Sequence, residues 1–236
     1  MRPDLHVASP RLLAAGFRHG FSRPGLNLGL PAAGADHQRL ADDVGYDLDA
    51  LRVCRQVHGA AVLDAPTRAE CAAAEADAIV ARAPGAAAGV RVADCAPILL
   101  ADPRSGAVAA VHAGWRGVVA GVLRAAVVCL APARPAELLA ALGPCIGACC
   151  FEVGDEVADL LVAASSPDAR VTRGAGRPHA SLELALRWQL RAMGVAELDV
   201  VGGCTRCDPA RWHSYRRDGA ASGRAMAVIA ARAPNS

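Results

Sequence analysis

Two short apolar runs, 98–101 and 107–111, flank Asp102-Pro103-Arg104-Ser105-Gly106, and this pattern constrains the centre of the chain more than any other feature. Asp, Pro, Ser and Gly within five consecutive positions are turn chemistry, so the two runs are expected to pair as an antiparallel hairpin. Folding back at the turn brings the open ends together. Those ends carry Cys95 and His112, which places a thiol and an imidazole near each other at one edge of a sheet. With 53% apolar and 20% charged residues in 236 positions, the chain can bury that sheet in a substantial core, and a single domain over 1–236 is expected.

Further strands are expected at 16–22, 52–57, 60–63, 78–81, 89–93, 138–142, 198–201 and 224–231. Helical spacing marks 35–44, with Asp36 able to cap its first turn, and 153–164 and 182–193. A single apolar helix is expected over 118–130, stopped by Pro132 and Pro135. Segments 24–30 and 165–178 read as loops, and His58-Gly59 interrupts two strands, so His58 sits at a bend. Gly114-Trp115-Arg116-Gly117 turns a strand into a helix beside His112, where backbone N–H groups, the helix dipole and Arg116 together suit an anion. No solenoid repeat, G-x-G-x-x-G or P-loop signature is visible.

Composition narrows the partners. A net charge of +2 and 3% aromatics supply neither a polybasic surface nor stacking platforms, so no nucleic acid is expected. The chain contains no Lys; with abundant Ala, this bias reads as that of a GC-rich coding sequence and carries no functional weight. The longest apolar candidate for a membrane span, 118–131, is interrupted by Arg124, so no membrane is expected either. Nine cysteines without a secretory segment after Met1-Arg2-Pro3-Asp4 point to a reducing cytoplasm, and a monomer is expected.

His58, Cys95 and His112 carry donor types that suit zinc or copper, and three ligands leave a fourth position for water. Their spacings, 37 and 17 positions, match no compact metal motif, and an isolated Cys is ordinarily a small buried hydrophobe. The residues alone therefore leave both readings open. Asp94 and Arg116 could orient an imidazole, bind an anion or form a structural ion pair. Cys145, Cys149 and Cys150 with Cys204 and Cys207 invite a structural-zinc reading. Yet 53 residues separate Cys150 from Cys204, far beyond a zinc ribbon, so buried thiols rather than ligands are expected there.

A set of motifs runs through nearly the whole chain. LNLGL (26–30), QVHG (56–59), Asp77-Ala78, ADCAPILLADP (93–103) and VHAGWRG (111–117) are followed by LGPCIG (142–147), CFEVG (150–154), Cys204-Thr205, SYRRDG (214–219) and SGR (222–224). In these motifs and their order the chain resembles the laccase-domain family, described variously as polyphenol oxidase, purine nucleoside phosphorylase and peptidoglycan editing factor. The resemblance implies an α+β fold, a single domain of mixed β-sheets flanked by helices, similar to the cysteine-hydrolase-like fold of that family. It also implies a zinc site whose ligands and catalytic groups here are His58, Cys95 and His112. Asn27, Arg55, Arg116 and Arg216 are the corresponding candidates for substrate binding, by motif position and charge. The chain departs from the family at Trp212-His213, where aromatic residues usually precede SYRR, and His213 is expected to line the pocket.

The implied activities differ in what they demand. Phosphorolysis of adenosine, inosine, guanosine or methylthioadenosine needs a basic phosphate cradle and a stabilised purine leaving group. Adenosine deamination needs water activated by an open metal site. Multicopper oxidation needs many clustered His, and seven His with no His-x-His pair disfavour it, which leaves copper as an alternative metal. A cysteine hydrolase using Cys95 as nucleophile and His112 as base could edit a peptidoglycan precursor. A non-enzymatic binding module with a structural metal would be expected to show four protein ligands rather than three. The reading carried forward is a zinc enzyme acting on a purine nucleoside and phosphate.

Overall fold

The hairpin forms as its turn chemistry demands. In the computed structural model, which describes residues 4–29, 34–131, 133–171 and 176–234, strands Ala96–Ala101 and Val108–Ala113 pair antiparallel from Ala96↔Ala113 to Ala101↔Val108. Gly106 closes the turn at φ 73°, donating its N–H to Asp102 O at 2.9 Å, and a Cβ there would collide with the Arg232 carbonyl. Leu30, Pro132 and residues 172–175 lie outside the described residues, and the rest of the expected 165–178 loop is not all loop: Pro167–Ala169 forms a short 3₁₀ helix and Arg170–Val171 a strand paired antiparallel with His179–Ala180.

The hairpin lies inside a six-stranded mixed sheet, in the order Glu197–Val200, Leu139–Leu142, Ala96–Ala101, Val108–Ala113, Ala78–Ala81, Val62–Asp64. A five-stranded sheet, ordered His6–Val7, His19–Ser22, Ala225–Ala230, Ala87–Val92, Leu51–Arg52, packs on one of its faces. Strand periodicity sorts the hairpin side chains. Leu99, Ala101, Val108 and Ala110 face the second sheet, against Phe21, Val90 and Ile229. Ile98, Leu100, Ala109 and Val111 face the other way, onto helices Val122–Leu130, Asp155–Ala163 and Leu182–Ala192. Helix Ala35–Val44 covers the outer face of the five-stranded sheet through Leu40 and Ala41. The result is the α+β domain of two mixed sheets flanked by helices that the motifs implied. Because both faces of the hairpin are covered, its strands are apolar at successive positions rather than alternating.

Several expectations are corrected. The expected helix over 118–130 is two, Trp115–Ala120 and Val122–Leu130, because Gly121 takes φ 82° and ends the first turn-rich segment before the second begins. The expected strand over 52–57 shrinks to Leu51–Arg52, since the following segment is drawn off to another partner, described below. Asp36 does not cap its own helix. It accepts instead from Asn27 N–H at 2.9 Å and pairs with Arg39. Helix Arg68–Ala73, closed by a reciprocal Thr67–Glu70 capping box, was not anticipated. Among the described residues, no helix is long and apolar enough to cross a membrane.

Candidate active site

Cys95 immediately precedes strand Ala96–Ala101, and His112 lies near the end of strand Val108–Ala113, paired with Pro97. His58 arrives from a separate loop. The donor atoms of the three all lie within 4.8 Å of one another, and the two imidazole centroids are 4.8 Å apart, edge to face. Gly114 is pressed against them: a Cβ there would lie 2.9 Å from Cys95 Sγ and 2.9 Å from His58 Cδ2.

A buried carboxylate sets this arrangement. Asp77, just before strand Ala78–Ala81 and wholly shielded from solvent, accepts four donors. Oδ1 takes His58 N–H at 2.9 Å and His112 Nδ1–H at 2.7 Å, while Oδ2 takes Gly59 N–H at 2.7 Å and Val57 N–H at 3.3 Å. Wrapping three successive amides around one carboxylate bends the chain, and His58 consequently adopts φ 62°. One side chain thus fixes both histidines, and its grip on Nδ1 leaves His112 Nε2 free to act as a ligand. Asp77 appeared in the motif set only as a dipeptide. Its role was hidden because hydrogen bonds to backbone amides leave no signature in the sequence.

Asp94 is the counterpart for Cys95. It adopts φ 87°, and accepts Thr205 Oγ1–H at 2.5 Å and Arg216 N–H at 2.6 Å, so the turn before Cys95 is tied to two distant segments. It orients no imidazole; that task falls to Asp77.

The three groups also shape each other's protonation. Burial opposes ionisation of Cys95, but hydrogen bonds with His112 and His58, and the charges those rings can carry, outweigh it and bring the thiol down to about 7. Burial likewise opposes protonation of His112, and there Asp77 and Cys95 prevail, raising it to about 9. Asp77 is held below the usual carboxylate range: the hydrogen bond to His112 and the Gly59 amide overcome the opposing effect of its own burial. Without a metal, Cys95 and His112 therefore favour a thiolate–imidazolium pair. A thiolate and two imidazoles, one braced through Nδ1, are also a donor set that zinc takes, one ligand short of a closed structural site.

The site opens on a cleft of about 430 Å³, lined among others by His58, Cys95, His112, Arg91, Arg216 and Arg224. Arg216 lies 5.5 Å over Phe151 and Arg224 5.7 Å over Tyr215, both rings also forming cleft wall. Arg91 is held by Gln56, whose amide bonds to both the N–H and the carbonyl of Arg91 at 2.8 Å, and its buried Nε has no hydrogen-bond partner. Burial pulls the Arg91 guanidinium below its ordinary value.

Of the four residues expected to bind substrate, Arg216 alone lines this cleft. Asn27 is exposed and its Oδ1 accepts the Arg224 N–H at 2.9 Å, so it positions a lining residue. Arg55 is exposed and pairs with Glu75, and Arg116 is exposed with its guanidinium 4.3 Å over Trp115. Both lie outside the cleft lining: the helix that starts at Trp115 carries Arg116 onto its solvent face. His213 does not line the cleft either, because its Nε2 bonds to Leu26 O at 2.8 Å. Arg91 and Arg224 went unrecognised. Arg224 stood in the SGR motif, but Arg91 follows a plain strand pattern and carries no local signal.

Residues 31–232 match the family model described as multi-copper polyphenol oxidoreductase laccase. The adenosine deaminase RL5 of an unknown prokaryotic organism is 40% identical over 205 residues, covering 80% of this chain and 78% of that protein. A purine nucleoside phosphorylase of Deinococcus radiodurans is 39% identical over 193 residues, 81% of this chain and 74% of its own. The crystal structure of YlmD from Geobacillus stearothermophilus superposes with a TM-score of 0.83 at 29% identity, across 98% of this chain and all of that one.

Proposed function

Because the chain belongs to the multi-copper polyphenol oxidoreductase laccase family, we propose that it is a zinc-dependent purine nucleoside phosphorylase with adenosine deaminase activity in the same cleft. The observation that carries this reading is the sharing of one cleft by three arginines, Arg91, Arg216 and Arg224, and the three donors His58, Cys95 and His112. The names borne by relatives near 40% identity agree with it.

In phosphorolysis a phosphate oxygen forms a bond to C1′ of the ribose as the bond from C1′ to the purine nitrogen breaks, and the departing base gains a proton. The guanidiniums hold the phosphate, which planar forks do better than point charges. Arg91 has a free Nε for that purpose, and Gln56 fixes the backbone from which it reaches. Phe151 and Tyr215, each already faced by an arginine, would add apolar wall beside the purine. His58, Cys95 and His112 would hold the metal, with Asp77 keeping His112 in the tautomer that presents Nε2. A bound zinc ion supplies Lewis acidity next to the cleft, the property that deamination requires. Copper in the same three-donor set is the alternative that metal analysis separates.

A second reading rests on one observation: Asp77, His112 and Cys95 stand in the order of an orienter, a base and a thiol nucleophile, with the thiol at about 7. It would make the protein a metal-free cysteine hydrolase. His58 distinguishes the two, for it is a ligand in the first, whereas in the second it only helps His112 to lower the thiol and is no part of the orienter–base–nucleophile order.

The test uses protein of defined metal content, incubated with adenosine and with inosine, with and without phosphate. The expected products are free base and ribose 1-phosphate only when phosphate is present, and inosine and ammonia from adenosine in its absence, with both reactions lost in His58→Ala. Turnover of neither nucleoside by the zinc-loaded protein sinks the reading, and activity that survives both chelation and His58→Ala moves it to the hydrolase.

A further inference from the structure

The four cysteines expected to be ordinary thiols converge. Cys149 and Cys150 lie in the turn that follows Gly147, Cys204 and Cys207 in a turn that 53 intervening residues separate from Cys150, and all four Sγ atoms lie within 4.8 Å of one another. The distance in sequence is closed by the sheet. Strands Leu139–Leu142 and Glu197–Val200 run parallel and adjacent, so the segments leaving their C-terminal ends emerge side by side. The pairing continues past the strands: Val201 N–H bonds to Leu142 O at 2.8 Å, Cys145 and Cys204 form a parallel bridge, and Thr205 N–H bonds to Cys145 O at 3.0 Å. Spacing rules for zinc ribbons assume that each ligand pair sits on its own hairpin, and here a βαβ-type crossover does the same work.

We infer that these four thiols form a second metal site, a closed tetrathiolate for a single zinc ion, distinct from the three-donor site on the cleft. The geometry suits it. A tetrahedral ion with metal–sulfur bonds of about 2.3 Å needs sulfurs roughly 3.8 Å apart. The Cys149–Cys207 and Cys150–Cys207 sulfurs lie 3.5 and 3.3 Å apart, and the whole set stays within 4.8 Å. Cys207 approaches two partners at once, as in a cluster around one point, whereas a disulfide would join it to one. Cys204 Sγ accepts the backbone N–H groups of Gly147 and Cys207, the kind of support that stabilises a thiolate ligand. Gly147 leaves room for the cluster, since a Cβ there would lie 3.2 Å from Cys149 Sγ and 3.2 Å from Cys204 Cβ.

Binding one Zn²⁺ releases four protons from four thiols and leaves the site with two negative charges, which the exposed sulfurs of Cys149 and Cys207 leave open to solvent. Arg217, itself paired with Asp218, donates to Thr205 O at 2.8 Å and Arg206 O at 3.4 Å, and so ties the turn that carries Cys204 and Cys207 to helix Tyr215–Asp218. With four protein ligands the site has no position for substrate, so its role is to clamp the two turns together. Thr205, between two of the ligands, holds Asp94, and Ile146 N–H bonds to Asp94 O at 2.9 Å, so the clamp braces the turn that precedes Cys95.

The test is metal content of the full chain prepared in reductant with zinc. Wild-type protein should hold about two equivalents, the C149S/C207S double variant about one, and Cys95→Ser about one, lost from the other site. Should the double variant fail to fold, cobalt supplied to the metal-stripped wild type gives an independent reading: two ions taken up, one with the intense thiolate-to-cobalt bands of a four-sulfur site. A double variant that retains all the metal of the wild type, or a cobalt spectrum without those bands, overturns the assignment; a single ion that is lost in the double variant and kept in Cys95→Ser upholds it and counts against zinc at the cleft instead.

Discussion

Cys95 and His112 stand at the ends of buried strands, His58 stands on a neighbouring loop, and both histidines are held by hydrogen bonds to the Asp77 carboxylate, whereas Cys149, Cys150, Cys204 and Cys207 stand in two turns, with Cys149 and Cys207 exposed. The first cluster is pre-formed by the scaffold. The second is brought together by backbone pairing alone, with two of its sulfurs at the surface and no carboxylate holding them, so an ion there would add to the fold, while an ion at the first would use side chains already fixed. A glycine lies against each, and the distances repeat the contrast: a Cβ at Gly114 would press on two donors at 2.9 Å, a Cβ at Gly147 on its neighbours at 3.2 Å.

The comparison breaks most directly at Asp77. In Asp77→Asn one oxygen still accepts, but the amide N–H₂ must face donors, either His112 and His58 or Val57 and Gly59. Stability is expected to fall by about 3 kcal/mol, within the range for breaking a buried charge-assisted network, and zinc affinity at the three-donor site by roughly 10- to 100-fold. The sign of the pH dependence follows from the depressed Asp77 value. Its stabilisation is present above the ordinary carboxylate range and is lost as pH falls through the lower value it has when folded. Urea unfolding of metal-free wild type and Asp77→Asn should therefore differ most near neutrality and converge in acid. Equal stabilities at pH 7 would mean that the site is not held from beneath.

The next effect is steric. Gly114 has an ordinary φ of −72°, so Gly114→Ala strains no backbone and tests space alone. Overpacking should cost about 1–3 kcal/mol and displace Cys95 or His58, stripping the cleft ion while the four-cysteine ion stays. Gly147→Ala should do the reverse and more weakly, at about 1 kcal/mol, because its neighbours need move only a few tenths of an ångström. Metal counting on the two variants, each retaining the ion the other loses, is the check. Loss of both ions in either variant would show that the clusters are one cooperative unit.

Alkylation sharpens the contrast further. In chelated protein Cys95 should react with iodoacetamide with a midpoint near pH 7, set by His112 and His58, and Asp77→Asn should shift that midpoint upward by removing the support of His112. Zinc should protect it. A midpoint in the ordinary thiol range would show that Cys95 and His112 do not face each other in solution.

The same contrast explains what the sequence could reveal. The hairpin was legible because Asp102–Gly106 is local turn chemistry and Ile98–Val111 is local apolar patterning, and the pair Cys95 and His112 followed from its geometry. His58 entered as a candidate by residue type and its bend, and the motif resemblance tied it to the other two. Asp77 was not legible because it works through backbone amides, nor Arg91 because a strand residue that lines a cleft looks like any other. The convergence of the four cysteines was not legible for a different reason: it arises from the parallel pairing of Leu139–Leu142 with Glu197–Val200, two strands far apart in sequence. Local signals located the groups on one hairpin, and only topology could join those on two distant turns.

The smallest expected effect is at Arg116. Its neighbourhood in sequence, between His112 and a helix start, suggested a phosphate fork, but helix Trp115–Ala120 has only six residues and turns Arg116 outward over Trp115, away from the cleft lining. Replacing Arg116 by Lys keeps a cation on an exposed surface and gives up one stacking contact, so activity, phosphate affinity and zinc content should all change by less than about 0.5 kcal/mol. Arg91→Lys is the partner measurement, since Arg91 lines the cleft with a buried, unpartnered Nε that Lys cannot replace. It should weaken phosphate binding by about 1–3 kcal/mol, read as a rise in the KM for phosphate, while deamination, which uses no phosphate, changes little. The opposite ranking, with Arg116→Lys the more damaging to phosphate, would move the anion out of the cleft and onto the Gly114–Gly117 turn, and would separate the phosphate from the wall formed by Arg216 and Arg224.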